Sequence, residues 1–326
     1  MRNYILSCLL ISITLSCSPP PKLIKLSGPV FGTGYNIRYY DKDNTNYQVQ
    51  FDSLFKVINQ SMSTYIPDSD ISRINRNETI TVDNHFKTVF KASQLIYEET
   101  NGAFDPTIGS VVNAWDFGPE GKIEQLDSLK IKSLMTTVGF NKVMLQDDQI
   151  IKPAAAYLDF NAIAKGYGID VIADFLESKG INNYLVDIGG DLRVEGMNVE
   201  TENGWKIGID DPNFDGVQSY SKIIELASEA MATSGTYRKF KVDDNGNRYA
   251  HIINTTTGYP SQTNVLSVSV IAPNCTLADG YATAFQAMGI DAVKTFLNDH
   301  PELKVYFIYE DELELKTLGL NGFPEN

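Results

Sequence analysis

Apolar positions recur at the helical interval in "YQVQFDSLFKVINQSMSTY" (47–65), where Phe51, Leu54, Phe55 and Ile58 share a face and the run closes before Pro67. The spacing predicts a helix there. A second is expected over 84–100, stopped by Asn101-Gly102, and a third over 162–180, ended by Gly180. Elsewhere the period shortens. "KLIKLSGPVFGTGYNIRYY" (22–40) reads as strand, turn, strand, and "NYLVDIGGDLRVEG" as two short strands about Gly189-Gly190. "NVLSVSVIA" (264–272) alternates as a half-buried strand does, and strand character also marks 141–160 and dominates 205–273. Helices over 272–289 and near 291–298 follow, then a hairpin around "KVYFIYEDELELK". Strands come in groups rather than in strict alternation with helices. The expected fold class is therefore α+β: a single compact catalytic domain with largely antiparallel sheet and flanking helices.

The first segment, "MRNYILSCLLISITLSCSPPPK", departs from this pattern. Arg2 precedes an apolar stretch from Ile5 to Leu15, with small residues before Cys17. That stretch is shorter than the roughly 20 residues that span a bilayer, and it has the form of a secretory signal. The ending "TLSC", followed by "SPPPK", resembles a bacterial lipoprotein signal, with Thr14 at the position where leucine is usual. The expectation is a signal over 1–16, lipidation at Cys17, a linker over 17–24 and the catalytic domain over 25–326. Such a protein would sit in the bacterial cell envelope, facing the periplasm and tethered to the membrane through its lipid.

Composition narrows the chemistry. The 326 residues, 43% hydrophobic, suffice for a large core, and the net charge of −14 argues against nucleic-acid binding, which needs clustered Lys and Arg. A small anion would need a helix end, a lysine or a metal. Three cysteines (8, 17, 275) and three histidines (85, 251, 300) occur, with no Cys-x-x-Cys and no His-Glu-x-x-His. A zinc site is disfavoured, and a metal here would be oxygen-bound, such as Mg²⁺.

Five stretches carry candidate chemistry. In "APNCTLADGYATAFQAMG" (272–289), Asp279 and Thr283 sit four apart on one helical face. Either Thr276 and Asp279 form a capping box while Thr283 bonds back to a carbonyl, or Asp279 and Thr283 are two hard oxygen ligands for a divalent cation. "LDFNAIAKGYGID" (158–170) puts Asp159 at a strand end and Lys165 in a first helical turn, against the dipole preference. That lysine is either solvated or the partner of an anion. "HIINTTTGYP" (251–260) holds a lone histidine, His251, which is structural or a general base. "FGTGYN" (31–36) lacks the third glycine of a dinucleotide fingerprint and reads as a turn. "MATSGTYRKF" (231–240) offers Thr233, Ser234 and Thr236 without a nucleophile elbow, so serine hydrolysis with His251 is disfavoured.

The order of these pieces says more than any one of them. Phe-Gly-Thr (31–33), "MSTYIPDSDISRIN", "GAFDPTIG", "LDFNAIAKGYGID", "VDIGGDLRVEG", "ATSGTYRKF", "HIINTTTGYP" and "SVIAPNCTLADGYATAFQAMG" together resemble the ApbE family, the FAD:protein FMN transferases, over about 30–290. The resemblance implies a Mg²⁺-dependent enzyme, with Mn²⁺ an alternative, that takes FAD as substrate. A threonine or serine hydroxyl of a target protein would attack the phosphorus on the FMN side, and AMP would leave. The targets in the family are flavin-bearing subunits of membrane respiratory complexes of the sodium-pumping quinone reductase and Rnf type.

By the same resemblance, the side chains of Asp279 and Thr283 and the carbonyl of Ala162 would hold the metal. Tyr65 would pack on the isoalloxazine. Phe31 (methionine in many relatives), Ala103, Phe104, Asp105, Asp159, Lys165 and Ile253 fall at FAD-contact positions, and His251 is the candidate base. Thr236, Asn254 and Ala282 stand where some members carry Asp. Two other functions are compatible with these residues: a metal-dependent FAD pyrophosphatase giving FMN and AMP, and a non-catalytic flavin-binding lipoprotein.

Overall fold

Eight strands hydrogen-bonded edge to edge, every neighbouring pair antiparallel, form the backbone of the computed structural model. The structure describes residues 20–212, 219–236, 240–242, 248–312 and 314–325. The expected leader, the lipidation site Cys17 and the first linker residues lie outside the described residues. In chain order the elements are β1 (Lys22–Val30), β2 (Thr33–Asp41), α1 (Gln48–Met62), α2 (Asp70–Asn75), α3 (Asn84–Glu99), α4 (Gly109–Ala114) and α5 (Ser128–Met135). Next come β3 (Met144–Gln146), β4 (Gln149–Ile151), α6 (Ala164–Ser178), β5 (Tyr184–Ile188), β6 (Asp191–Glu195), β7 (Trp205–Asp210), β8 (Tyr220–Leu226) and β9 (Glu229–Gly235). The chain closes with β10 (Phe240–Val242), β11 (Arg248–Ala250), β12 (Val265–Ala272), α7 (Cys275–Met288), α8 (Ile290–Phe296), β13 (Lys304–Asp311) and β14 (Glu314–Leu320).

The large sheet runs in the order β1-β2-β5-β6-β9-β12-β13-β14. Alternation along each strand sends side chains to two faces, and both faces are covered. Val186, Ile188, Val268, Val270, Val305 and Phe307 point to the side where α1, α3, α6 and α7 pack. Leu185, Ile271, Tyr306 and Ile308 point to the other side, under the β7–β8 hairpin with its Trp205, Ile207 and Ile209. The α+β expectation is met. No helix among the described residues is long and apolar enough to cross a membrane.

Three local expectations change. β12 is buried on both faces rather than half-buried, because the hairpin side is covered too; its polar positions Ser267 and Ser269 are 1% and 0% exposed, and the Ser269 hydroxyl is paired with that of Thr233 at 2.8 Å. The segment 141–160 holds only the short β3–β4 hairpin before an irregular stretch. Helices α2, α4 and α5 have no counterpart in the sequence reading; each has six or eight residues, too short to display a repeating apolar face.

Helices α6 and α7 cross where Gly166 faces the first turn of α7. A Cβ on Gly166 would lie 2.2 Å from the Cys275 carbonyl oxygen and 2.7 Å from the Asp279 Cβ. The glycine of "AKGYG" is thus the contact that lets the two helices approach. Gly166→Ala is expected to lower stability by about 1–3 kcal/mol through overpacking, read as a fall in Tm. An unchanged Tm would show that the helices part without cost.

Candidate active site

Two tight turns and one helix start converge at one end of the sheet. Phe31-Gly32 joins β1 to β2 with φ of 47° and 75°, and Gly189-Gly190 joins β5 to β6 with φ of 62° and 97°. Positive φ at both central residues is the hairpin geometry that matches strand twist. Glycine adopts it freely, whereas Phe31 does so at a cost of order 1–3 kcal/mol. What holds Phe31 is its ring, set edge-on to Phe55 at 5.5 Å between centroids and lying where a Cβ on Gly168 would be, 2.6 Å away. The Gly189 amide donates to the Gly34 carbonyl at 3.0 Å, tying the two turns together.

The first turn of α6 faces this corner. The Lys165 ammonium pairs with Asp191 Oδ2, and the Thr233 amide donates to Asp191 Oδ1 at 3.0 Å. Asp279, on α7, accepts from the Gly166 amide through Oδ2 at 2.9 Å. Burial works against the lysine's charge, but the carboxylates of Asp191 and Asp279 outweigh it and raise the Lys165 pKa. Burial and then the facing Asp191 charge push Asp279 up to about 7, against the pull of Lys165 and the Gly166 amide.

A pH dependence follows from that shift. The folded-state value lies above the roughly 3.9 of an unfolded aspartate, so ionising Asp279 penalises only the folded state. The penalty is absent below about pH 4 and complete above about pH 7. Metal-free Asp279→Asn should therefore melt above the metal-free wild type at pH 8 and converge with it toward pH 4. A variant that melts lower at pH 8 than at pH 4, relative to wild type, would contradict this.

Of the two readings of this helix, the Thr276–Asp279 capping box is not met. Asn274 caps α7, accepting from the Leu277 amide at 2.9 Å. Thr276 instead donates its hydroxyl to Asp170 Oδ2 at 2.5 Å, and the amides of Cys275 and Thr276 donate to the same carboxylate at 2.9 and 2.8 Å. Asp279 is left facing the corner, with Thr283 one turn further along the same wall. No hydrogen bond from Thr283 back to a carbonyl occurs among the described residues. The back-bonded reading of Thr283 is therefore not met.

These groups line one cavity of about 1490 Å³. Its walls include Phe31, Tyr65, Ala103, Phe104, Asp105, Asp159, Ala162, Lys165, His251, Ile253, Asp279 and Thr283, so every site residue expected within the described part of the chain meets here. Tyr65 stands in the turn after α1, 58% exposed at the mouth; the turn is fixed by Ser69 Oγ donating to the Ser63 carbonyl at 2.7 Å. Burial, with the nearby Asp159 charge, raises its pKa. Phe104 is buried at 3% exposure and Ile253 at 5%. The carboxylate of Asp105 is occupied by its own loop, accepting from the Thr107 amide and hydroxyl at 2.8 and 2.6 Å. Asp159 Oδ1 accepts from the Asn161 amide at 2.7 Å.

His251 packs against Phe117, with ring centroids 6.2 Å apart, and both line the cavity; Phe117 is thus a wall residue. Trp115 donates its indole N–H to the Gly258 carbonyl at 2.9 Å. Asn254 caps its own turn, accepting from the amides of Thr256 and Thr257, both at 3.0 Å. Ala282 is buried at 1% in the core behind the site.

Asp191 went unread in the sequence. It anchors the lysine from 26 residues away, and the only sign of it is an acid directly after a Gly-Gly turn. Among the described residues no group of three or more His, Cys, Asp or Glu is placed to hold a metal ion. A cation here would need other oxygens: the Asp279 carboxylate, to which among the described residues only the Gly166 amide is bonded, through Oδ2, the Thr283 hydroxyl, and the carbonyl of Ala162, a residue of the same wall. That donor set is hard, sparse and open to the cavity, and it fits a small oxygen-preferring cation completed by phosphate and water.

The ApbE family model matches residues 31–307. An FAD:protein FMN transferase of Vibrio cholerae is 38% identical over 298 residues, covering 89% of this chain and 88% of its own. One of Haemophilus influenzae is 33% identical over 345 residues, covering 100% and 98%. Among solved structures, the flavin transferase ApbE from Vibrio cholerae superposes with a TM-score of 0.83 at 35% identity, covering 92% of this chain and 97% of its own.

Proposed function

The chain belongs to the ApbE family, and on that premise we propose that it transfers FMN from FAD to a threonine or serine hydroxyl of a target protein, with release of AMP. The observation that carries this reading is the meeting, in one cavity, of an aromatic wall with a lysine–carboxylate corner that has an open oxygen pair. A flat ring needs the first and a pyrophosphate needs the second.

Phe31, Tyr65, Phe104 and Ile253 hold the flavin ring against apolar surface and exclude water from it. Lys165 directs its ammonium toward the pyrophosphate, kept charged and in place by Asp191. Asp279 and Thr283, with the Ala162 carbonyl, would hold Mg²⁺ or Mn²⁺, which would supply charge neutralisation at the two phosphates. The target's hydroxyl oxygen bonds to the phosphorus on the FMN side, the bond from that phosphorus to the bridging oxygen of AMP breaks, and the hydroxyl proton passes to His251. The products are a phosphoester-linked FMN and AMP. The same family setting supports a periplasm-facing protein held to the membrane by lipid at Cys17, acting on flavin subunits of membrane respiratory complexes.

The test is incubation with FAD, Mg²⁺ and the flavin subunit of a sodium-pumping quinone reductase, following acceptor mass and AMP. The expected result is an acceptor heavier by one FMN residue with equimolar AMP. Free FMN and AMP with no gain in acceptor mass would instead assign a pyrophosphatase.

A further inference from the structure

Away from Lys165 and Asp279, the cavity continues between the outer face of the sheet and the β7–β8 hairpin, past Asn36 and Arg38 of β2 and Leu185 of β5. The whole, at about 1490 Å³, exceeds the roughly 300–1,000 Å³ of clefts that hold one small molecule. Five consecutive residues of β7, Lys206 to Asp210, line this arm. A strand face contributes every second residue; a consecutive run is what a strand edge contributes. Ile207 and Ile209 are 5% and 2% exposed, with side chains in the apolar cluster beneath the hairpin. β7 pairs with β8 on one side, and among the described residues no strand pairs with its other side. In an antiparallel pair every second residue directs its N–H and C=O away from the partner, so the cavity edge of β7 offers a ladder of open donors and acceptors.

The charges beside this edge have a sign. Arg38 and Lys206 are exposed along it. Asp187 accepts from the Gly190 amide at 2.9 Å, Asp210 has a partner of its own, and Glu225 stands across the hairpin from Lys206. In a protein of net charge −14, two exposed cations beside an open strand edge suit an extended acidic polypeptide.

We propose that the acceptor protein enters this arm as an extended acidic segment, adding a third strand to the β7–β8 sheet along the open edge of β7. Arg38 and Lys206 answer its carboxylates, and its hydroxyl is delivered along the cavity to His251. The inference rests on the transferase reading and gives that reading its acceptor site.

Two measurements on the full chain test it, with the flavin subunit of a sodium-pumping quinone reductase as probe. Hydrogen exchange should show protection of alternate amides over 205–210 when the subunit is added and none when FAD alone is added. The double variant Arg38→Glu with Lys206→Glu should raise the KM for the subunit at least tenfold, with the FAD dissociation constant within twofold of wild type. Transfer that proceeds with unprotected β7 amides and an unchanged KM overturns the inference and leaves the transferase reading standing. Protection that appears without the subunit and grows with protein concentration assigns the edge to a second copy of the chain, and also overturns it. Wild-type protein that binds FAD but transfers nothing sinks the transferase reading; β7 protection by the subunit in that case would still support the docking edge, and its lack would remove both.

Discussion

Asp279→Asn is expected to reduce transfer by roughly 10²–10³-fold in kcat while leaving the fold intact. The amide oxygen of asparagine can still accept from the Gly166 N–H, so the crossing of α6 and α7 keeps its hydrogen bond. What is lost is the negative charge, and with it the grip on the cation that would neutralise the departing phosphate. Lys165 keeps Asp191 as partner and so remains in place. Circular dichroism and Tm separate loss of chemistry from loss of fold. A variant that retains wild-type kcat would place the reacting phosphates elsewhere in the cavity.

Asp170→Ala is expected to cost about 3–5 kcal/mol of stability and to lower Tm by roughly 10 °C. Its buried carboxylate accepts from the amides of Cys275 and Thr276 and from the Thr276 hydroxyl, and Arg193 stands 3.3 Å away on the other side. Removing it strands three donors at once, all at the start of the helix that carries Asp279 and Thr283, while Arg193 keeps Asp174 and Glu177. Transfer should fall as well, because the placement of both side chains depends on that anchor. Asp170→Asn, which keeps one acceptor oxygen, should lie between. Denaturant unfolding reads the difference, and a loss below about 1 kcal/mol would show that the Asn274 cap alone holds α7.

Thr276 illustrates what the chain could and could not disclose. Ser/Thr-x-x-Asp at a helix start is a sound local signature, and the helix is where the pattern puts it, with Gly289 at its end. Yet the hydroxyl turns to a carboxylate 106 residues earlier, because a buried acid with open lone pairs competes for every nearby donor. That competition frees Asp279 for the cavity. Lys165 was conspicuous in sequence because a cation in a first helical turn is unusual, whereas its partner Asp191 lies beyond a strand and a turn and has no local oddity. Gly166 and Gly168 lie against the Cys275 carbonyl and the Phe31 ring, neighbours that no local pattern in the chain discloses. The alternation of β12 was legible, but what covers its second face is set by β7–β8. Period-two patterning reports a strand's own faces, never what a hairpin elsewhere in the chain lays across them.

Asp279 and Thr283 of α7 would hold the cation that neutralises FAD's pyrophosphate. Electron–nuclear double resonance on the protein loaded with Mn²⁺ and FAD tests it most directly. Phosphorus hyperfine coupling to the manganese in the wild type, lost in Asp279→Asn, is the result expected. Manganese bound without phosphorus coupling, or coupling that survives the substitution, would contradict it.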